Sequence, residues 1–381
     1  MRVMVLGVGN VGRVIIRDLL KYRDDIEYIL AVDYNYEALK SFASEVDDPR
    51  LEIAKGDVRD IDGTASYMSK VDVVVNSSWY EYNLYAIKAA LKAGRDLADL
   101  GGLYWMTKKE LEMDEEVRDA GITVLIGVGD DPGTSNVLAS YGASKMDSVR
   151  EIHIRWGSAG DEATPFGFSI LTVLDEATMP AVLYVNGKFI EAPPLSYPEL
   201  TFFPEPIGYL KTYAIIHSEL ATLPYTIEGV RTVTYKDSWD ESFFPIINFM
   251  KSIGLTSREP IKIDSNEVVP QKLVAALAKP GEPKGVYGCL KVELVGVKDG
   301  VDTRLTYYVG PVGYNEDWRA GVTAFTTGVG ASIGVQMLAD GLVSRKGVVP
   351  PELVDDPSHW IRELGRRGIP VTEEETRINR F

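Results

Sequence analysis

Six residues near the N-terminus have the spacing of a phosphate-binding turn. Gly7–Gly12 follows the apolar run Arg2–Leu6 and opens a stretch with helical periodicity. Gly7 would permit a tight turn, Gly9 would let the backbone approach a pyrophosphate, and Gly12 would let the helix pack closely on the strand. The free amides and positive dipole end of the helix N-terminus would face the phosphates. The residues predicted to bind a dinucleotide here are Gly7, Gly9, Asn10, Val11 and Gly12.

Polar residues also follow the next three apolar runs, where they could contact other parts of the dinucleotide. Asp33 ends the second run. Its carboxylate would accept hydrogen bonds from the adenosine ribose and repel a 2′-phosphate, which favours NAD over NADP, or it could cap the next helix. Asp57 and Val58 follow the third run, beside the expected adenine position, although Asp57 could equally be a turn residue. Ser77 and Ser78 follow the fourth run, at the edge where cofactor and substrate would meet.

Two groups of side chains near this edge could contact a substrate. Trp79 and Tyr80 would wall the nicotinamide pocket, or they could be ordinary packing residues. Asp130 and Asp131 precede Pro132 and Gly133 where the sequence pattern changes. Adjacent carboxylates in a cleft between domains suit acid–base chemistry or the binding of an ammonium group, although such a sequence is also common in turns. We predict a catalytic Asp131 and a substrate-binding Asp130.

The second half of the chain offers a histidine–carboxylate pair. His217 and Glu219 follow an apolar run at Tyr213–Ile216, so both would project to the same face of a strand. We predict that this pair is catalytic, with a structural polar pair as the alternative. An arginine would suit a substrate carboxylate through its bidentate fork. The further candidates for holding charged substrate groups, each of which could be an ordinary surface charge, are Arg155, Glu176, Arg231 and Lys236. The sequence shows no cysteine placed as a nucleophile and no cluster of metal ligands.

The elements that would position these residues differ between the two halves. Up to about Gly129, continuous apolar runs alternate with helical stretches, which predicts a parallel sheet covered by helices on both faces. This is the pattern of a Rossmann dinucleotide-binding domain. Beyond Asp130, Asn186-Gly187 and Asp299-Gly300 are typical of tight hairpin turns and predict an α+β domain with a mixed or antiparallel sheet. Ala192–Pro206 is expected to be an ordered loop. The uncharged stretch Ala320–Ala339, rich in small residues, is expected to be a buried helix rather than a membrane span.

The composition excludes several classes of protein. The 381 residues include 40 Lys and Arg against 56 Asp and Glu, so the net charge is −16, which disfavours a nucleic-acid partner or anionic lipid. Cys289 is the only cysteine, so no intrachain disulfide is possible. The N-terminal residues do not resemble a signal peptide. We therefore expect a cytoplasmic protein with a small-molecule substrate.

Four motifs in this order resemble the saccharopine dehydrogenase family over nearly the whole chain. They are Gly7–Gly12, Asp57-Val58, Gly129–Gly133 and Gly347–Glu352. Two further patterns are similar to the branch that contains lysine 6-dehydrogenase. These are Asp99-Leu100-Gly101-Gly102 and a set of second-domain segments at Glu176–Ala181, Asn186–Lys188, Pro204–Gly208 and Ser218–Pro224. The residues Asp237–Asp240 depart from what that branch usually shows after the position of Lys236.

The resemblance implies an NAD(P)-dependent dehydrogenase that oxidises a C–N bond, with the substrate between two domains and a homodimeric assembly. The expected domains are a Rossmann domain at 1–130, an α+β substrate-binding and dimerisation domain at 131–318, and C-terminal helices at 319–381 that return to the Rossmann domain. The favoured activity is oxidative deamination like that of lysine 6-dehydrogenase, on an amino-acid or polyamine-like substrate. The alternatives are a saccharopine or carboxynorspermidine type of dehydrogenase, and a non-catalytic NAD-binding protein.

Overall fold

The alternating pattern of the first half folds as six strands of a parallel sheet, and a seventh strand from residues 347–349 completes it. The computed structural model describes residues 1–160, 169–278 and 284–378. The elements up to residue 125 are β1 (Arg2–Leu6), α1 (Asn10–Tyr22), β2 (Tyr28–Asp33), α2 (Tyr36–Val46), β3 (Leu51–Lys55), α3 (Ile61–Met68), β4 (Val73–Asn76), α4 (Asn83–Ala93), β5 (Asp96–Asp99), α5 (Tyr104–Leu111), α6 (Asp114–Asp119) and β6 (Thr123–Leu125).

The remaining helices and strands build a second sheet and also complete the first one. They are α7 (Ser135–Ala143), β7 (Ser148–Gly160), α8 (Ile170–Thr178), β8 (Ala181–Val185), β9 (Lys188–Ala192), β10 (Ser196–Phe203), β11 (Gly208–Ala214), α9 (Leu223–Thr226), β12 (Thr232–Ser238), α10 (Phe244–Ser252), β13 (Ile261–Ile263), β14 (Asn266–Val268), α11 (Pro270–Leu277), β15 (Val286–Lys298), β16 (Val301–Val312), α12 (Val322–Ala339), β17 (Gly347–Val349), α13 (Pro357–Arg366) and β18 (Val371–Ile378).

The first sheet has the strand order β17-β6-β5-β4-β1-β2-β3. Except for β5, its inner strands are apolar, and they are buried on both faces because helices cover both sides; all four residues of β4 are buried. The chain order changes direction between β1 and β4, so the carboxyl ends of these two strands border a crevice. The predicted α/β fold with a Rossmann-like sheet is confirmed.

Two strands of this sheet, β5 and β17, escaped the sequence analysis. β5 begins with Asp96 and ends with Asp99, and these charged residues hide its pattern. Both carboxylates accept backbone hydrogen bonds: Asp96 from the Thr123 amide at 2.7 Å, and Asp99 from the Gly101 amide at 2.6 Å. Asp96 therefore fixes the start of β6, and the buried Asp99 fixes the loop that follows β5.

The second sheet is mixed, as predicted. Its main path is β10-β11-β12-β7-β15-β16-β18, with β8 and β9 attached to β12. The neighbours β7 and β12 run parallel, whereas β15 pairs antiparallel with both β7 and β16. Both predicted hairpins form, because β8 pairs with β9 and β15 pairs with β16. The φ angles of Asn186 and Asp299 are both 51°, and the glycines that follow them also have positive φ angles.

Helix α12 is buried between the two sheets and packs on α1. It is long and apolar enough to cross a membrane, but 83% of it is buried inside the protein. Its small residues serve this packing. A Cβ added to Gly328 would lie 2.6 Å from Val14 of α1, and one on Gly330 would lie 2.1 Å from the Gly129 carbonyl oxygen. Any larger residue at either position would push the helix away.

Two expectations for the second half were wrong. Most of Ala192–Pro206 is not a loop, because Ser196–Phe203 forms β10, which pairs with β11. The C-terminal segment does not consist only of helices that return to the first sheet, since Val371–Ile378 pairs with β16 as β18. The charged sequence of β18 suits its place at the exposed edge, where charges oppose further strand pairing.

Candidate active site

The glycine turn after β1 leaves one open approach to its backbone. A Cβ on Gly7, whose φ is +86°, would lie 2.7 Å from the Ser78 amide nitrogen. A Cβ on Gly12 would lie 2.2 Å from the Gly7 carbonyl oxygen. At Gly9, in contrast, a Cβ would meet no described atom within 4 Å. Gly7 and Gly12 are therefore required by packing within the chain, while the free space at Gly9 fits an approaching ligand.

The start of α1 has the properties of an anion site. Gly9 is its N-cap, no side chain of the described residues caps it, and its first turn contains no acidic residue. Asn10 and Val11 are half-exposed, so the first amides of the helix are accessible. Uncapped amides at a helix N-terminus favour phosphate oxygens. The residues present therefore fit the pyrophosphate of a dinucleotide.

Asp33 lies beside this turn and is held there by backbone amides. Its carboxylate accepts hydrogen bonds from the Val8 amide at 2.7 Å and from the Asn35 amide at 2.7 Å. The alternative in which Asp33 caps the next helix is wrong, because Asn35 caps α2 by accepting a hydrogen bond from the Ala38 amide. A fixed negative charge thus stands at the end of β2.

The other predicted cofactor residues are occupied by the chain itself. Arg59 binds both oxygens of the Asp57 carboxylate in an exposed ion pair. The Val58 side chain is buried in the core. Ser77 donates to the Gly7 carbonyl oxygen at 2.5 Å, and Ser78 donates to the side-chain oxygen of Asn76 at 2.6 Å. Ser77 and Ser78 therefore shape the glycine turn and its surroundings. At Val58, only the backbone is left to face a ligand.

Tyr80 connects the loop after β4 to helix α8 of the second half of the chain. Its hydroxyl donates to Asp175 of α8 at 2.7 Å, and Arg258 binds both Asp175 and Glu81. Trp79 packs edge-on against Tyr80, with ring centroids 5.5 Å apart. An ion-pair cluster therefore ties the loop after β4 to α8 and to the segment that carries Arg258.

The cleft contains a buried acid–base cluster. The Tyr235 hydroxyl donates a hydrogen bond to Asp131, and His217 Nδ1 is hydrogen-bonded to Glu219. The rings of His217 and Tyr235 are stacked, with centroids 3.6 Å apart and planes 2° from parallel. The structure thus brings the three residues predicted as catalytic to one place and adds Tyr235, which the sequence analysis missed.

The local backbone explains why His217 and Glu219 meet. The strand β11 ends at Ala214, so the two side chains do not share a strand face as expected. His217 is extended, and Ser218–Ala221 forms a 3-10 turn that folds Glu219 back onto the imidazole. Ser135, at the start of α7, donates to the second oxygen of Glu219 at 2.7 Å and completes its surroundings.

Burial changes the proton affinity of the carboxyl groups around this cluster. Burial raises the pKa of Asp130 to about 7, against a hydrogen bond from Thr326. Burial and the neighbouring charge of Asp130 raise the pKa of Asp131 well above its usual range. Burial, followed by Asp237, does the same for the pKa of Glu176. Each of these acids would ionise more readily beside a cation.

The pKa of His217 is raised for a different reason. Burial is the largest single effect and opposes the charged imidazole, but the charge and hydrogen bond of Glu219, together with the charges of Asp131 and Asp237, raise the pKa above its ordinary value. Because Nδ1 is bound to Glu219, Nε2 is the nitrogen left to exchange a proton with a ligand. The site therefore holds one histidine among several carboxyl groups.

Three predicted substrate-binding residues do not reach this cluster. Successive side chains of a strand point to opposite faces, so Lys236 lies on the far side of the sheet from Tyr235. Lys236 and Arg155 both bind Glu199 there, at 2.7 and 2.9 Å. Arg231 is exposed just before β12, four residues from Tyr235. Of the four charged candidates, only Glu176 is buried near the cluster, where Asp237, Asp175 and Glu219 are the carboxylates that act on it.

Replacing Asp130 by asparagine should stabilise the protein only at higher pH. The folded protein holds the Asp130 proton up to about pH 7, whereas the unfolded chain releases it near pH 4. Stability is therefore lost as the pH rises between these values. The free energy of unfolding of Asp130→Asn should exceed that of the wild type by roughly 1–4 kcal/mol at pH 8 and by much less at pH 5.

Urea unfolding at several pH values checks this expectation. Asp119→Asn, at an exposed position, is the matched control and should follow the wild type at every pH. A stability difference for Asp130→Asn that does not vary with pH would mean that this carboxyl is ionised in the folded protein throughout.

A dinucleotide-binding sheet whose open edge faces an acid–base cluster defines a pyridine-nucleotide dehydrogenase. Comparison with known families agrees. Residues 3–125 match the saccharopine dehydrogenase NADP binding domain, and residues 129–369 match the saccharopine dehydrogenase C-terminal domain. The chain belongs to the saccharopine dehydrogenase family. The prediction of an NAD(P)-dependent oxidoreductase acting on CH–NH2 or CH–NH groups is confirmed.

Two relatives match this sequence over nearly its whole length. Carboxyaminopropylagmatine dehydrogenase of Synechocystis is 25% identical, with 98% of this chain and 97% of that protein covered. Carboxynorspermidine synthase of Vibrio alginolyticus is 24% identical, with 94% of this chain and 93% of that protein covered.

Two solved structures share the fold. Saccharopine dehydrogenase (L-Glu forming) of Saccharomyces cerevisiae has a TM-score of 0.75 at 17% identity, with 98% of this chain and 99% of that one covered. Homospermidine synthase of Legionella pneumophila, solved with NAD, has a TM-score of 0.71 at 14% identity, with 98% of this chain and 91% of that one covered. No lysine 6-dehydrogenase stands among these four similar proteins.

Proposed function

We propose that this enzyme forms or oxidises a secondary amine that carries a cationic, polyamine-like chain. The observation that carries the proposal is the charge of the cleft. The buried or half-buried carboxylates of Asp131 and Glu219 act on the imidazole of His217. The buried acids Asp130 and Glu176 act in turn on Glu219, so four acidic groups lie around one imidazole and its partner. An ammonium or guanidinium group among them would compensate the buried carboxylates.

The names of the similar proteins point to the same class of substrate. Two of them, a carboxyaminopropylagmatine dehydrogenase and a carboxynorspermidine synthase, carry the names of polyamine-like compounds. Arg155 and Lys236, the basic residues that would suit additional substrate carboxylates, lie on the other face of the sheet with Glu199. A substrate with more positive than negative groups therefore fits this cleft better than saccharopine does.

The residues of the chain have defined roles in this reaction. The bound nicotinamide supplies the hydride exchange at the carbon of the C–N bond. His217 Nε2 exchanges the proton of the substrate nitrogen, while Glu219 orients the ring and stabilises its charged form. Asp131, held by the Tyr235 hydroxyl, binds the ammonium end of the substrate.

The lysine 6-dehydrogenase activity is the second candidate, favoured by the resemblance of Asp99–Gly102 to that branch.

A substrate panel tests the proposal. The purified enzyme is assayed with NAD and NADP, in the oxidative direction, on carboxynorspermidine, carboxyaminopropylagmatine, saccharopine and lysine. We expect kcat/KM for a polyamine-type secondary amine to exceed that for saccharopine by at least about tenfold. A preference for saccharopine would contradict the charge argument, and a preference for lysine would establish the second candidate. Cofactor binding without turnover on any amine would indicate a non-catalytic NAD-binding protein.

We further propose NAD as the preferred cofactor, and Asp33 as the residue that decides it. A carboxylate at the end of β2 accepts ribose hydroxyl bonds and repels a 2′-phosphate. In Asp33→Asn the ratio of kcat/KM for NAD to that for NADP should fall by about 10- to 100-fold, equivalent to about 1.4–2.7 kcal/mol. Steady-state kinetics with each cofactor measure the ratio.

The ratio separates charge from structure. If the substitution weakened the hydrogen bonds that the Val8 and Asn35 amides donate to residue 33, kcat/KM would fall for both cofactors together. Loss of the charge alone instead changes the ratio of the two kcat/KM values. Asp24→Asn, at an exposed position of the same domain, is the control. A wild-type preference for NADP would overturn the proposed role of Asp33.

A further inference from the structure

A cavity of about 380 Å³ lies outside the acid–base cluster, between α5, α9 and β17. Its lining is rich in positive charge, although the whole chain carries a net charge of −16. The four basic side chains that line it are Lys108, Arg118, Arg345 and Lys346. Asp114 is the acidic residue among its lining residues, so the charged groups around it sum to an excess of positive charge.

The chain neutralises this charge only in part. Arg118 pairs with Asp114, and the Lys346 Nζ atom lies 3.6 Å from an Asp96 oxygen. In the parts of the chain that the structure describes, no carboxylate pairs with Lys108 or Arg345. Lys108 lies over the ring of Tyr225, 5.1 Å from its centroid. At least two cationic groups are therefore available to a ligand in the cavity.

The remaining walls limit the kind of ligand. Val349, Pro350 and Leu353 contribute apolar surface, whereas Thr222 and Thr226 contribute hydroxyl groups. Both hydroxyl groups already have a partner in the chain. Thr222 accepts a hydrogen bond from the buried Asn136 at 3.3 Å, and Thr226 donates one to the buried Glu352 at 2.8 Å. A guanidinium and two ammonium groups around a small cavity suit oxyanions on a short carbon skeleton.

We propose that this cavity binds a small polyanion, a compound with two or more carboxylate or phosphate groups. The site is separate from the candidate active site, because none of Asp131, His217 and Tyr235 lines it. It also differs in charge, since the active-site cleft is acidic and the cavity is basic. The proposal therefore does not depend on the identity of the amine substrate.

Calorimetric titration of the full chain tests the site. Citrate and pyrophosphate are the two probes, each added in the presence of excess NAD and NADP so that the glycine turn is occupied. At least one probe should bind with a stoichiometry of one per chain. Citrate alone would indicate a carboxylate ligand, and pyrophosphate alone a phosphate ligand. Absence of binding by both probes overturns the proposal.

Variants assign the binding to the cavity. Arg345→Ala and Lys108→Ala should each weaken the affinity by about tenfold or more, as expected for loss of one charge-assisted hydrogen bond. Lys88→Ala removes an exposed charge of α4, outside the cavity lining, and should leave the affinity unchanged. Equal weakening in all three variants would show general attraction to surface charge and contradict the site. Circular dichroism establishes that each variant is folded.

Discussion

Replacement of His217 by asparagine should lower kcat by about 10²- to 10⁴-fold, with the affinity for the dinucleotide unchanged. Loss of a positioned general acid–base group has an effect of this size. Asparagine can still bond to Glu219, so the buried carboxylate keeps a partner, but it cannot carry a proton between substrate and solvent. Stopped-flow and steady-state assays with the best amine of the panel measure the change, and fluorescence titration measures cofactor binding.

His153 offers a matched control in β7, the strand next to β12. Its ring nitrogens contact Thr234 and Glu151, and Thr234 points away from the face that carries Tyr235. The same substitution, His153→Asn, should change kcat by less than about threefold, because this half-buried side chain lies on the other face of the sheet from Tyr235. Similar losses in both variants would mean that His217 acts on the fold of the sheet, and would remove it from the proposed chemistry.

Replacement of Arg367 by leucine should destabilise the protein by about 3–5 kcal/mol. Arg367 follows α13 and bonds to both oxygens of Asp18 in α1, at 2.8 and 3.0 Å. Both side chains are fully buried. Removal of the guanidinium would leave the Asp18 carboxyl buried without its opposite charge, which is much more costly than the loss of an exposed pair. Denaturant unfolding monitored by circular dichroism measures the change.

Two further variants test whether burial is the cause. Arg377→Leu removes an arginine of similar pairing, with Asp299 and Glu375, at the exposed edge strand β18, and should cost less than about 1 kcal/mol. The double variant Asp18→Leu and Arg367→Leu removes both charges and should recover much of the lost stability. If the double variant is as unstable as the sum of the single ones, the pair contributes through packing and not through charge.

Local patterns in the sequence were sufficient for the fold class and for the cofactor turn. The glycines at 7, 9 and 12 follow an apolar strand, and positions this close in sequence fix their own geometry. Asp131, His217 and Glu219 were also found, although the reason expected for the last two was a strand and the structure shows a turn. The role of each of these residues in the reaction stays a prediction.

The errors at the site come from long-range register. Lys236 and Tyr235 are adjacent in sequence, and only the docking of β12 against β7 decides which of them faces the cleft. Arg258 meets Tyr80 from 178 positions away, so no local pattern could join them. β17 is three residues long and forms only because the edge of the first sheet is open beside β6. These features depend on tertiary pairing and not on composition or periodicity.

The late position of α12, β17 and β18 in the chain has a consequence for synthesis on the ribosome. Domains generally fold as units as they emerge, N-terminal first. Here α1 stays uncovered until α12 has emerged, and the outer edge of β6 stays unpaired until β17 follows. The second sheet also gains its last strand only at residues 371–378. Nascent chains arrested before residue 322 should therefore expose apolar surface of both sheets, and the two sheets should reach protease resistance together, only once residues 371–378 have emerged.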